Sequence, residues 1–165
     1  MRFLFATVLS GICFLAYSQT GTLVNPIPPS FDCQKASTNV EKMICQNGDL
    51  SALDGLLVYA YRTSQATEMN LAKKEEGKKE QIGWTKETRN VCKDISCLKT
   101  AYAERISDKY SDFETYNSYL KSLGWAQKQY RQGSRFCDFE YKKGAATVVI
   151  NAYCAGDGFN TLYVK

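Results

Sequence analysis

Seven cysteines, seventeen acidic side chains and no histidine set the chemistry open to this chain of 165 residues. Without an imidazole there is no Ser-His-Asp triad, no Cys-His dyad, no histidine-ligated metal and no histidine proton shuttle. A carboxylate pair can still act alone, as in glycoside hydrolysis, but seventeen acids always permit some pair, so this signal selects no site. The cysteines say more. Cys33, Cys45, Cys92, Cys97, Cys137 and Cys154 lie beyond a leader-like start that holds Cys13. They contain no C-x2-C spacing, which argues against both a zinc site and a redox motif. Six cysteines in an exported chain point to three disulfides. Sequence alone allows 15 connectivities, and spacing favours neighbours: Cys33 with Cys45, Cys92 with Cys97, Cys137 with Cys154. The expectation is a protein that is not an enzyme and uses no metal or cofactor.

The start of the chain implies the compartment. One Arg is followed by the apolar run Phe3–Tyr17, and Ala16-Tyr17-Ser18 offers small residues where a signal peptidase checks for them. Residues 1–18 therefore read as a signal peptide cleaved before Gln19, for a periplasmic or secreted product. Ile12 stands before Cys13, where a lipoprotein signal wants a small residue. No second apolar run approaches the roughly 20 residues that span a bilayer. Hydrophobic content of 44% argues against disorder. The net charge is +4, or +3 once Arg2 leaves with the leader, too mild to suggest nucleic acid.

Residues 19–29 hold Pro26, Pro28 and Pro29 and read as a flexible lead-in. Beyond it the pattern is helical. Thr38-Asn39-Val40-Glu41 is a capping-box sequence and predicts a helix over 39–46, ended by Gly48. Asp49 or Ser51 is expected to cap the next helix, in which Leu50, Leu53, Leu57 and Tyr61 share a face as far as about Met69. The charge run 73–80, KKEEGKKE, is a solvated helix face or turn. A third helix carries Gln81, Trp84, Thr88 and Val91. A disulfide between Cys92 and Cys97 would pin the turn into a fourth helix bearing Leu98, Tyr102 and Ile106. A break is expected near 107–112, then a helix to Leu123 stopped by Gly124.

The last forty residues differ. Residues 136–141, 147–153 and 159–164 have strand composition, a three-stranded meander on propensity alone. A tight turn centred on Lys143 and Gly144 would, however, pair Cys137 with Ile150 rather than Cys154. A longer loop or a partly helical segment stays open. So does a degenerate repeat, in which Gln127, Tyr130-Arg131 and Cys137 echo the helical Trp-Arg-Cys half upstream. The fold class expected is mainly α: antiparallel helical hairpins stapled by disulfides, with a small β-hairpin or irregular segment at the C-terminus.

Residues 30–106 resemble the N-terminal domain of the lysozyme inhibitor LprI family. The resemblance lies in Phe31-Asp32-Cys33, Ala36-Ser37-Thr38, Val40-Glu41, Ile44-Cys45, Leu50 and Leu53-Asp54, with Tyr59 or Tyr61. It continues in Gln81, Trp84, Arg89-Asn90, Cys92, Cys97-Leu98, Tyr102 and Arg105-Ile106. It divides the chain into an LprI-like helical module over 30–109 and a C-terminal extension over 110–165. Each residue also has a local reading. Glu41 is a cap rather than an acid catalyst, and Asp54 a first-turn carboxylate favoured by the helix dipole. Trp84 is a core anchor, Arg89 a cation near a helix C-terminus, and Arg105 the partner of an acidic residue on a neighbouring helix.

The resemblance implies an exported protein that binds and inhibits a lysozyme by covering its glycan cleft. The alternative is an envelope interaction module with a non-lysozyme partner; the oligomeric state stays open. Residues 31–70 carry three basic and five acidic side chains, whereas 71–110 carry ten and seven. For a basic lysozyme, the expected face is the N-terminal helix pair with Asp32, Glu41, Asp49 and Asp54, Asp49 and Asp54 being the binding residues.

Overall fold

The computed structural model describes residues 25–110, 112–154 and 158–165. The signal peptide, its cleavage point and residues 19–24 of the lead-in lie outside the described residues. Among those described, no helix is long and apolar enough to cross a membrane.

Local sequence explains the helices. α1 (Asn39–Gln46) has the capping box that Thr38 and Glu41 predict: the Thr38 hydroxyl accepts from Glu41 N–H at 3.1 Å, and the Glu41 carboxylate accepts from Thr38 N–H at 2.9 Å. α2 (Gly48–Thr67) starts earlier than expected, because the cap is Asn47, whose side chain accepts from Leu50 N–H at 3.0 Å. Gly48 is thus the first residue of α2 rather than a stop between helices. α3 (Leu71–Glu87) absorbs the whole charge run and buries none of its residues. A helix this polar depends on a few contacts near its C-terminal end. Trp84 packs edge-on to Tyr102 with ring centroids 5.4 Å apart, and Glu80 pairs with Lys109 at 3.2 Å. A 3-10 turn, Arg89–Val91, leads into α4 (Ile95–Lys109), capped by Asp94. α5 (Phe113–Ser122) follows the expected break, with Asp112 accepting from the N–H groups of Glu114 and Thr115. Gly124, at φ 79°, turns the chain out of it.

The C-terminal part corrects the expected fold class. It is neither a small hairpin nor an irregular segment but a four-stranded antiparallel sheet in the order β1-β2-β3-β4, so the chain is α+β. The strands are β1 (Ala126–Gln132), β2 (Phe136–Lys143), β3 (Ala146–Tyr153) and β4 (Phe159–Val164). β1 is the strand that composition hides. AQKQYRQ is rich in residues with good helix propensity, and it becomes a strand by pairing with β2, with a register shift between Gln127 and Gln129. Tyr130 and Arg131 are therefore strand residues opposite Phe139 and Asp138, which removes the helical repeat.

The β2–β3 turn is also one residue later than the tightest reading. Lys143 pairs with Ala146, and the two-residue turn opens on Gly144 at φ 59°, the conformation such hairpins need at that position. Cys137 then faces Ala152, and Cys154 stands two residues further along the same face. That diagonal puts their Cα atoms 5.0 Å apart and bonded. The other two pairs are Cys33–Cys45 and Cys92–Cys97, so all three neighbour pairings form. They suit an oxidising, extracytoplasmic setting.

Helices and sheet share one core. Cys137, Phe139 and Tyr141 of β2, and Val148, Ile150 and Ala152 of β3, point inward to meet Tyr116 and Leu120 of α5 and the apolar face of α2. Phe113 packs on Phe139 and Tyr116 on Phe159. The described end of the lead-in joins this core. Ile27 is fully buried, and the Asn25 amide donates to Cys45 O and Ser51 Oγ, each at 2.8 Å. Gly55 lies where this strap crosses α2: a Cβ there would sit 2.8 Å from Pro28 O and would also clash with the Tyr119 hydroxyl.

Candidate functional site

Four of the residues that carry the resemblance, Asp54, Trp84, Arg89 and Tyr102, gather around one buried carboxylate. Asp54 is 1% exposed, on the inner face of α2. One of its oxygens accepts from Ser30 N–H at 2.7 Å and from the Ser30 hydroxyl at 2.6 Å. The other accepts from the Tyr102 hydroxyl at 2.6 Å and lies 3.7 Å from the Arg89 guanidinium. The expected first-turn dipole role is replaced by this tertiary one. Arg89, expected near a helix C-terminus, opens the 3-10 turn that directly follows α3, and its guanidinium reaches Asp54. Burial, reinforced by the Asp54 charge, pushes the Tyr102 phenol far up, so it stays a neutral donor. Trp84 closes over Tyr102. Arg105 finds not a carboxylate but the Gln81 side-chain carbonyl, at 3.2 Å from its nearer nitrogen. These residues join α2, α3, the 3-10 turn, α4 and the strap. The arrangement is a fully bonded anchor, with the hydrogen-bonding capacity of Asp54 taken up by its neighbours.

The acids grouped by sequence into one face are dispersed by the fold. Asp54 is enclosed and presents no charge to a partner. Asp49 accepts from Val164 N–H at 2.7 Å and from the Lys99 ammonium, tying α2 to β4 and α4. Asp32 caps the 3-10 turn Cys33–Lys35 by accepting from Gln34 N–H. Phe31 packs partly buried against the core, and Leu53 lies within it.

Glu41 is half-buried and engaged. The N–H groups of Thr38 and Ser37 hold its carboxyl down at about 2, against an ordinary 4.5. Because the folded value is the lower one, the stabilisation is fully present above pH 4.5 and is lost as pH falls toward 2. We expect an NMR titration of the Glu41 side chain to show a midpoint near 2. Glu41→Gln should flatten the dependence of stability on pH across that window. A midpoint at 4 or above would mean that the cap does not hold in solution.

Part of the open surface lies around the Cys92–Cys97 bond. Two concavities of about 770 and about 490 Å3 flank it and share Val91 and Cys92. The first is lined by Val40 and Met43 of α1 facing Asn90 and Lys93. The second lies between the end of α3 and one face of α4, with Glu87, Asp94 and Glu104 on its walls. Val91 and Ile95 project at 60% and 41% exposure. Sequence reasoning passed over this region because its acids are scattered through a stretch of net positive charge. Ser30 was missed as well; a serine after Pro28-Pro29 carries no signal of a partner 24 residues away. The chain matches no protein-family model, no curated protein and no solved structure, so a functional reading has to begin from its own residues.

Proposed function

We propose that this is an exported, disulfide-stapled binding protein that acts as LprI-type lysozyme inhibitors do, by sterically occluding a lysozyme, with no chemistry of its own. The observation that supports the reading is the convergence of the motif residues. Asp54, Arg89, Tyr102 and Trp84 come from four elements and pack together, while Gln81 and Arg105, one turn from Trp84 and Tyr102, bond to each other. That convergence supports the reading of the resemblance as one of scaffold. Three disulfides fix that scaffold before a partner arrives, which lowers the conformational entropy lost on binding.

The test uses oxidised protein against chicken-, goose- and invertebrate-type lysozymes. Inhibition of cell-wall lysis, in proportion to complex formation by at least one of them, is the expected result. Absence of binding to all three removes the lysozyme reading. It would favour an envelope interaction module with a different partner, a reading supported by the sheet 126–164, which lies wholly outside the resemblance yet carries the third disulfide.

A further inference from the structure

We infer that the apolar groove between α3 and α4, beside the Cys92–Cys97 bond, is a docking surface for a cationic protein segment, one that presents Lys or Arg next to apolar side chains. The inference rests on the reading of the chain as a protein-binding module, but it does not require that the partner be a lysozyme.

Shape and charge both support it. Cys97, Thr100, Ala101 and Glu104 step along one face of α4 at helical spacing, forming a floor and one wall. Glu87, on the last turn of α3, stands on the opposite wall, and Asp94 closes one end. Val91 and Ile95 supply exposed apolar surface beside it, held in place by the disulfide. Every titratable side chain lining this groove is acidic, in a chain whose net charge is +4. Asp94 spends one oxygen on Cys97 N–H. Glu87 and Glu104 form no ion pair among the described residues. An apolar floor under free carboxylates suits the aliphatic stem and charged head of Lys or Arg. With the chain as a whole net positive, this attraction is local to the groove and acts at contact distance rather than by long-range steering.

The test compares oxidised full-length mature protein with the paired variants Glu87→Lys/Glu104→Lys in the groove and Glu75→Lys/Glu76→Lys on the exposed face of α3. Both pairs change the charge equally at exposed positions, and thermal melts check that both fold. The probes are a chicken-type lysozyme and a short Lys/Leu-rich peptide, each titrated at low and high salt. The groove pair is expected to weaken peptide binding by about tenfold or more, and the α3 pair by less than about twofold. Wild-type binding should also weaken as salt rises. Equal losses in both pairs, or no peptide binding by the wild type, would overturn the proposal. Peptide binding without lysozyme binding keeps the groove and removes a chicken-type lysozyme as its partner. Lysozyme binding unaffected by the groove pair keeps that reading and removes the groove.

Discussion

Asp54→Ala is expected to be among the most damaging single substitutions in this protein, at about 3–5 kcal/mol of folding stability. The loss has three sources. Tyr102 and Ser30 lose their acceptor deep in the core, and an unpaired buried donor costs more than the bond it made was worth. Arg89, whose side chain is only 17% exposed, is left without its counter-charge. The strap also loses one of the contacts that hold it on α2. Stability of a single domain is roughly 5–15 kcal/mol, so the variant should melt about 10 °C lower or fail to accumulate. Asp54→Asn preserves the shape and much of the hydrogen bonding but not the charge, and it should fall between the two. Calorimetry or urea unfolding of the oxidised proteins decides this. An Asp54→Ala melting point within about 2 °C of the parent would mean that the network adds little.

Removing the Cys137–Cys154 bridge should be the next largest loss. Chain entropy alone gives about 3 kcal/mol for the loop it closes, against about 2 kcal/mol for the much shorter Cys92–Cys97 loop. Burial adds to the contrast: Cys137 is fully buried within the sheet's inner face, so replacing it with serine also places a hydroxyl in the core. We expect Cys137→Ser/Cys154→Ser to lower the urea midpoint more than Cys92→Ser/Cys97→Ser does. The reverse order would show that the sheet holds together without its staple. Cys92→Ser/Cys97→Ser has a different use, since it loosens the segment carrying Val91 and Ile95 while leaving Asp54 in place.

The contrast between these two regions shows what was readable in advance. The helices were: Thr38 with Glu41, the step of Leu50, Leu53 and Leu57, and the break before Asp112 are all signals within a few residues of their effect. Short spacings favoured the disulfides that form but did not select them among the 15 connectivities. β1 was not, because Ala126–Gln132 has a composition that permits a helix and becomes a strand only by pairing with β2. The exact hairpin register was not either, since a turn centred one residue earlier or later is nearly indistinguishable by composition, yet it moves the residue opposite Cys137 from Ile150 to Ala152.

The candidate site divides along the same line. Sequence by itself determined that the chemistry is that of carboxylates and cysteines and that the first half is helical, and its spacing favoured the cysteine pairs that the fold then forms. These depend on residue type and on contacts that are short-range along the chain. Only the tertiary structure decided what the acids do. It buried Asp54 against Tyr102 and Arg89, tied Asp49 to β4, and gathered Glu87, Asp94 and Glu104 from a stretch of net positive charge onto one groove. The physical reason is that a charge interacts with what lies within several ångströms of it in space. For these residues, those neighbours come from other elements of the fold.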